Sequence, residues 1–178
     1  CCGEARRVPL QLTVDGEAWR AHLRLLAEAQ PGLVPVAKGN GYGFSLARLA
    51  RRTQWLAQHA ATTGTVIDLL AVGTYAEVPD VATRFAGDVL VLTPWRPSNA
   101  SPTAELPNAR VVHTISRVED LTGLAQIQPG SRFVIEQLTS MRRHGMSRRD
   151  LELAADTIKA AELGGLCGVA MHLPLNTG

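Results

Sequence analysis

Apolar residues recur along the chain in two rhythms, alternate positions and helical spacing, and the switches between them mark out the elements. Val8 to Val14 alternates as Val-Pro-Leu-Gln-Leu-Thr-Val, which predicts a strand with one apolar face. Asp15 then reads as a helix N-cap, with Ala18, Leu23, Leu25, Leu26 and Ala29 forming a stripe that stops at Pro31-Gly32. The short apolar run Val34 to Ala37 predicts a buried strand, and Leu46, Leu49, Ala50, Trp55 and Leu56 predict a helix from Ser45 to His59. Further strands are expected at Val66–Val72, Asp88–Thr93, Arg110–Ile115, Ser131–Leu138 and Leu166–His172. The Asp88 strand is almost unbroken in apolar residues, as when both faces are covered. Between the later strands, Ser116 reads as the N-cap of a helix over Val118–Ala125, and a helix from Ser147 to Leu163 stops at Gly164-Gly165. Pro94 to Pro107 is a loop by composition.

Strands alternating with helices at this spacing imply parallel βαβ units, and six in succession predict an α/β barrel of the eightfold TIM type rather than an open sheet. A full (β/α)8 barrel takes about 250 residues, so a chain of 178 residues reads as incomplete, with about six βα units present. Residues 1–7 are expected to be a loose polar tail. Residues 8–178 read as one barrel domain whose carboxyl-terminal part is missing.

Charge narrows the partners: 18 basic against 16 acidic residues give a net +2, which offers no electrostatic argument for nucleic acid or an anionic membrane. Arg48, Arg51 and Arg52 have no aromatic residues interleaved among them and read as a solvated face. A small-molecule substrate is the expectation. No apolar run reaches the roughly 18 residues of a membrane span, and the first residues lack the apolar centre of a signal peptide, so a soluble, cytoplasmic protein is expected. Cys1, Cys2 and Cys167 lack zinc-site spacing, and Cys167 reads as a small buried residue.

The candidate chemistry sits at Ala37-Lys38-Gly39-Asn40-Gly41-Tyr42-Gly43-Phe44-Ser45. A lone lysine at the carboxyl end of a strand, followed by three glycines, puts an amine where α/β proteins keep their ligands. Such an amine, partly desolvated, can attack an aldehyde to form an imine, and Tyr42 offers a hydroxyl within reach of a phosphate. An ordinary strand-to-helix turn with a solvated lysine accounts equally well for the spacing alone. His113, a lone histidine in a strand, reads as structural.

The segment resembles the pyridoxal-phosphate lysine motif of the alanine racemase family, Val-Lys-Ala-x-Ala-Tyr-Gly-His-Gly, with Lys38, Tyr42 and Gly43 matching and both alanines replaced by glycine. Glu136 to Gly145 is similar to the family's Lys-x-Asp-Thr-Gly-Met-x-Arg-x-Gly, matching at Thr139, Met141, Arg143 and Gly145, while Leu138 and Ser140 depart from it. Met171-His172-Leu173 resembles the family's sixth barrel strand. This likeness implies a homodimeric, pyridoxal-phosphate-dependent racemase of a small amino acid, most simply alanine. By position, Lys38 would hold the cofactor and act as base. Arg143 would bind the cofactor's phenolic oxygen, and Glu136, replacing a family lysine that becomes a carbamate, would pair with Arg143. His172 would orient an arginine facing the pyridine nitrogen; that arginine, the opposite-face tyrosine and the phosphate loops are not in the sequence. Two alternatives stay open: a non-catalytic pyridoxal-phosphate-binding protein that carries or buffers the cofactor, and a related barrel decarboxylase or aldolase.

Overall fold

A computed structural model describes residues 12–60, 64–99 and 110–174. Helix α1 (Gly16–Ala29) opens it, capped by the Asp15 carboxylate, which accepts from the Glu17 and Ala18 amides at 2.9 and 3.0 Å. Helix α2 (Leu46–Ala60) packs beside α1. Strand β1 (Leu69–Val72) leads through a 3-10 turn at Tyr75–Glu77 into the short α3 (Val78–Ala82). Then come β2 (Asp88–Pro94), β3 (Val111–Ile115), α4 (Val118–Ile127), β4 (Arg132–Gln137), α5 (Arg148–Ala160) and β5 (Leu166–Met171). The five strands form one parallel sheet in chain order, each beside the next. That order, with helices in the connections, is a half-barrel of the expected class.

Alternation along the strands divides the two faces. Leu70, Val72, Val89, Val91, Val111, Ile115, Phe133 and Ile135 are buried in one core with Tyr75, Val78, Val81 and Phe85 of the α3 region, Leu121 and Leu124 of α4, and Ala154 of α5. Leu90, Leu92, Thr114, Glu136 and Ala170 line the opposite, concave face. The expectation that the Asp88 strand is covered on both faces is therefore corrected: Leu92 is 39% exposed because helices cover only the convex side of β2. Cys167 is corrected for a similar reason. It is exposed on β5, which pairs only with β4 among the described residues.

Three further expectations differ at the level of local structure. Residues 8–11 of the first predicted strand, and 1–7 before them, lie outside the described residues, while 12–14 carry no strand. The run before Lys38 is a single bridge, Val36 to Ala71, rather than a ladder. Pro35 has no N–H to extend the pairing, and Gly39 turns the chain away at φ +60°. Ser116 does not cap α4: the N-cap is Arg117, and Ser116 Oγ instead accepts from Arg96 at 3.2 Å. Ser147 does cap α5, in a reciprocal capping box with Asp150.

Arg52 of α2 also meets an aromatic residue of another helix. Trp19 of α1 lies under Arg52, 5.1 Å from guanidinium carbon to ring centroid, and Trp55 of α2 lies near Arg20 and Arg24 of α1. Sequence proximity could not show this, because the contacts run between two helices. No helix among the described residues is long and apolar enough to cross a membrane.

Candidate active site

The loop after Lys38 is folded on its own backbone and carried by residues that tolerate a left-handed conformation. The Gly41 amide donates to the Lys38 carbonyl at 3.0 Å, the Phe44 amide to the Gly41 carbonyl at 2.9 Å, and the Ser45 amide to the Asn40 carbonyl at 3.1 Å. Gly41 sits at φ +68°, and a Cβ there would come within 2.3 Å of the Ser45 backbone, so only glycine fits. Lys38 leaves this loop as an exposed side chain. Its neighbour Ala37 is fully buried and bonded to the Ala71 carbonyl at 2.8 Å, which anchors the lysine's base in the sheet.

Lys38 borders a cavity of about 720 Å³ on the concave face, at the carboxyl ends of the strands. Glu136, Arg143 and His172 line the same cavity, with Arg96, Thr114 and His144. Its size is that of a small-molecule site. Tyr42 is not among these residues. It is 58% exposed and lines a separate groove with Val14, Trp19, Val36 and Phe44, while Phe44 packs on Trp19 at 5.1 Å between ring centroids.

The loop that carries Arg143 is tied at its base and across to β5. The Met146 amide donates to the Glu136 carbonyl at 2.8 Å and the Leu138 amide to the Met146 carbonyl at 2.9 Å. Thr139 Oγ1 donates to the His172 carbonyl at 2.5 Å, joining the Arg143 loop to the end of β5. Arg143 and His172 are both exposed.

Glu136 is different: only 9% exposed, its Oε2 has no hydrogen-bond partner. Burial pushes its carboxyl above the usual range, against the opposing pull of His144, His172, Arg143 and Arg96. No ion pair joins it to Arg143 among the described residues, so the expected pairing is not formed in this structure. The physical reason is reach and solvent: Arg143 sits exposed on a loop, whereas the carboxylate sits in the strand.

Two features of the site have no counterpart in the sequence reading. Arg96, just past β2, is fixed by the Trp95 carbonyl and Asp120 Oδ2, both at 2.7 Å, and Asp120 also takes two bonds from Arg117. A charged residue at the carboxyl end of a buried strand was the available signal. Glu77 accepts from the Gly39 amide at 2.7 Å, across 38 positions of sequence. Thr74-Tyr75-Ala76-Glu77 has capping-box spacing, which marks the turn but not the distant bond.

His113 lies behind the sheet rather than in the cavity, buried, with Nδ1 2.9 Å from the Tyr75 hydroxyl. Its structural reading stands. Desolvation lowers its pKa to about 4.

Comparison with known proteins bears on this arrangement. The family described as "Alanine racemase, N-terminal domain" matches residues 14–177. Among solved structures, the alanine racemase of Bartonella henselae with covalently bound pyridoxal phosphate is similar at a TM-score of 0.68 and 18% identity, over 90% of this chain and 45% of that one. The alanine racemase of Bacillus anthracis with bound L-Ala-P gives 0.63 and 22%, over 89% and 40%. That of Oenococcus oeni gives 0.65 and 18%, over 88% and 43%. This chain thus spans less than half the length of these solved relatives. No curated protein matches it. With a half-barrel of matching topology and a match over nearly its whole length, the chain belongs to the alanine racemase family, within that family's N-terminal domain.

Proposed function

We propose that this chain is part of a pyridoxal-phosphate-dependent amino-acid racemase, most simply one interconverting L- and D-alanine. The observation that carries this reading is that Lys38, Glu136, Arg143 and His172, from well-separated stretches, border one cavity at the carboxyl ends of parallel strands. The residues fit the cofactor. An exposed amine, a guanidinium and an imidazole surround a space of suitable size, and the orphaned buried oxygen of Glu136 has acceptor capacity left for a cationic partner.

Bound pyridoxal phosphate supplies an aldehyde for an amine to join and a ring that draws electrons away from the substrate Cα. Lys38 would hold that group through its Nζ and would carry the α-proton at Nζ on one face of the substrate Cα. Arg143 would orient the ring by donating to its phenolic oxygen. Glu136, not joined to Arg143 in this structure, would accept from that guanidinium once a bound ring drew it inward, and His172 would orient an arginine facing the pyridine nitrogen. Tyr42 reaches a phosphate only if the loop after Lys38 turns it out of its own groove. The base for the opposite face comes from outside this chain, in a homodimer with shared sites.

The test is an absorbance spectrum of the full-length protein with pyridoxal phosphate, before and after borohydride, with Lys38→Ala as control. The expected result is a band near the visible edge, trapped on Lys38 and lost in the variant, followed by conversion of L- to D-alanine. Trapping without conversion would favour the cofactor-carrying alternative. A folded, full-length protein with no band would sink both.

A further inference from the structure

Lys38 is held in place by much less sheet than a catalytic group on a barrel strand usually has. One bridge, Val36 to Ala71, precedes it, and a glycine in the left-handed region follows it. Something else must fix the backbone on its far side.

We propose that Glu77 is a positioning residue for Lys38, clasping the backbone on either side of the lysine's seat, with Gly73 as the floor on which the lysine stem rests. Glu77 Oε2 accepts from the Gly73 and Thr74 amides at 2.7 and 3.1 Å, which is local capping of its own turn. Oε1 is thereby held pointing away from that turn, and it accepts from the Gly39 amide, the residue directly after Lys38, at 2.7 Å. Short bonds to an ionised carboxylate are the stronger kind. The Gly73 carbonyl is fixed in turn by the Thr93 amide and hydroxyl, at 2.9 and 2.6 Å, so the clasp is rooted in β2 as well as β1.

Gly73 completes the seat. A Cβ on it would lie 3.2 Å from the Lys38 Cβ and 3.1 Å from Glu77 Oε2, so the lysine stem and the carboxylate both close on the space that a glycine leaves. A methyl group there pushes on both at once. Small displacements of a reacting group cost much in rate, because the productive geometry is narrow.

This inference rests on the proposed role of Lys38, and its test separates the two. The chain has only two lysines, Lys38 and Lys159, and Lys159, on α5, serves as an internal control. Full-length wild type, Glu77→Ala, Glu77→Gln and Gly73→Ala are compared in three ways: amide hydrogen exchange of residues 38–40 without cofactor, labelling of Lys38 relative to Lys159 by an amine reagent, and borohydride trapping of pyridoxal phosphate on Lys38.

In Glu77→Ala the expected results are faster exchange at Gly39, a changed labelling ratio, and trapping slowed on the order of tenfold or more, with the melting temperature within a few degrees of wild type. Gly73→Ala is expected to slow trapping and, because the methyl also presses on the carboxylate, to speed exchange at Gly39 less than Glu77→Ala does. Glu77→Gln, which keeps one acceptor oxygen but turns an amide group towards the Gly73 and Thr74 donors or towards Gly39, is expected to fall between. Unchanged exchange at Gly39 in Glu77→Ala overturns the clasp, whatever the cofactor does. Faster exchange with unchanged labelling and trapping reduces Glu77 to a turn cap, and also overturns the inference. Absence of trapping in wild type overturns the reading of Lys38 itself, while exchange and labelling still decide the clasp.

Discussion

Glu136 shows how one buried group couples the cavity to the stability of the strand that carries it. Its folded pKa is raised by burial, so the folded state binds the proton more tightly than the unfolded state does. The sign follows: this group's contribution favours folding at low pH and is lost as pH rises from its ordinary value of 4.5 through the raised one. Glu136→Gln, which cannot ionise, is therefore expected to melt higher than wild type near pH 7 in the absence of cofactor, with the difference shrinking towards pH 4. Melting curves across that range check it, and parallel curves would show that the carboxylate is solvated after all. The place of Glu136 on the cavity wall agrees with the resemblance that singled it out. Its missing partner was not legible in the sequence, since whether a loop arginine reaches a strand carboxylate depends on the path of the loop between them.

Among the elements, β3 and the turn before α3 are locked by a polar pair in an otherwise apolar layer. His113 and Tyr75 are both almost fully buried, 2.9 Å apart through Nδ1 and the hydroxyl, and His113 Nε2 has no hydrogen-bond partner. Desolvation depresses the histidine to about 4 from an ordinary 6.5. Here the unfolded state binds the proton first, so stability is full above pH 6.5 and falls as pH drops towards about 4, by about 3 kcal/mol over the whole window. His113→Phe is expected to flatten acid destabilisation over that window in denaturant titrations; an unchanged slope would assign it to other groups. The position of β3 was evident in the sequence from its apolar run. The partner of His113 was not, because Tyr75 lies 38 positions away on the other side of β2 in the chain.

At the scale of the molecule, the edge of β5 is unpaired among the described residues. Leu166, Val169 and Met171 on β5 are 47, 59 and 56% exposed, and β5 pairs only with β4 among the described residues. An exposed apolar edge strand invites pairing with another chain. The 178-residue chain on its own is therefore expected to associate with rising concentration, and Val169→Lys to reduce that association, as measured by light scattering or sedimentation. A monomer at all concentrations would show that this edge is covered in solution.

Period and punctuation in the sequence determined α1, α2, α4, α5, the five strands of the sheet and their parallel architecture, because burial on a strand or helix face leaves its rhythm in the chain. The Asp15 cap was likewise readable, since a cap and its targets lie within three residues. Contacts between distant segments were decided only by the tertiary structure: the Trp19–Arg52 stacking, the exposure of Cys167, the separation of Tyr42 from the cavity, and the Glu77 bond to Gly39. Each depends on where two elements meet in space. Local propensity fixes what each segment becomes, but the curvature of the sheet and the paths of its loops fix which side chains face each other.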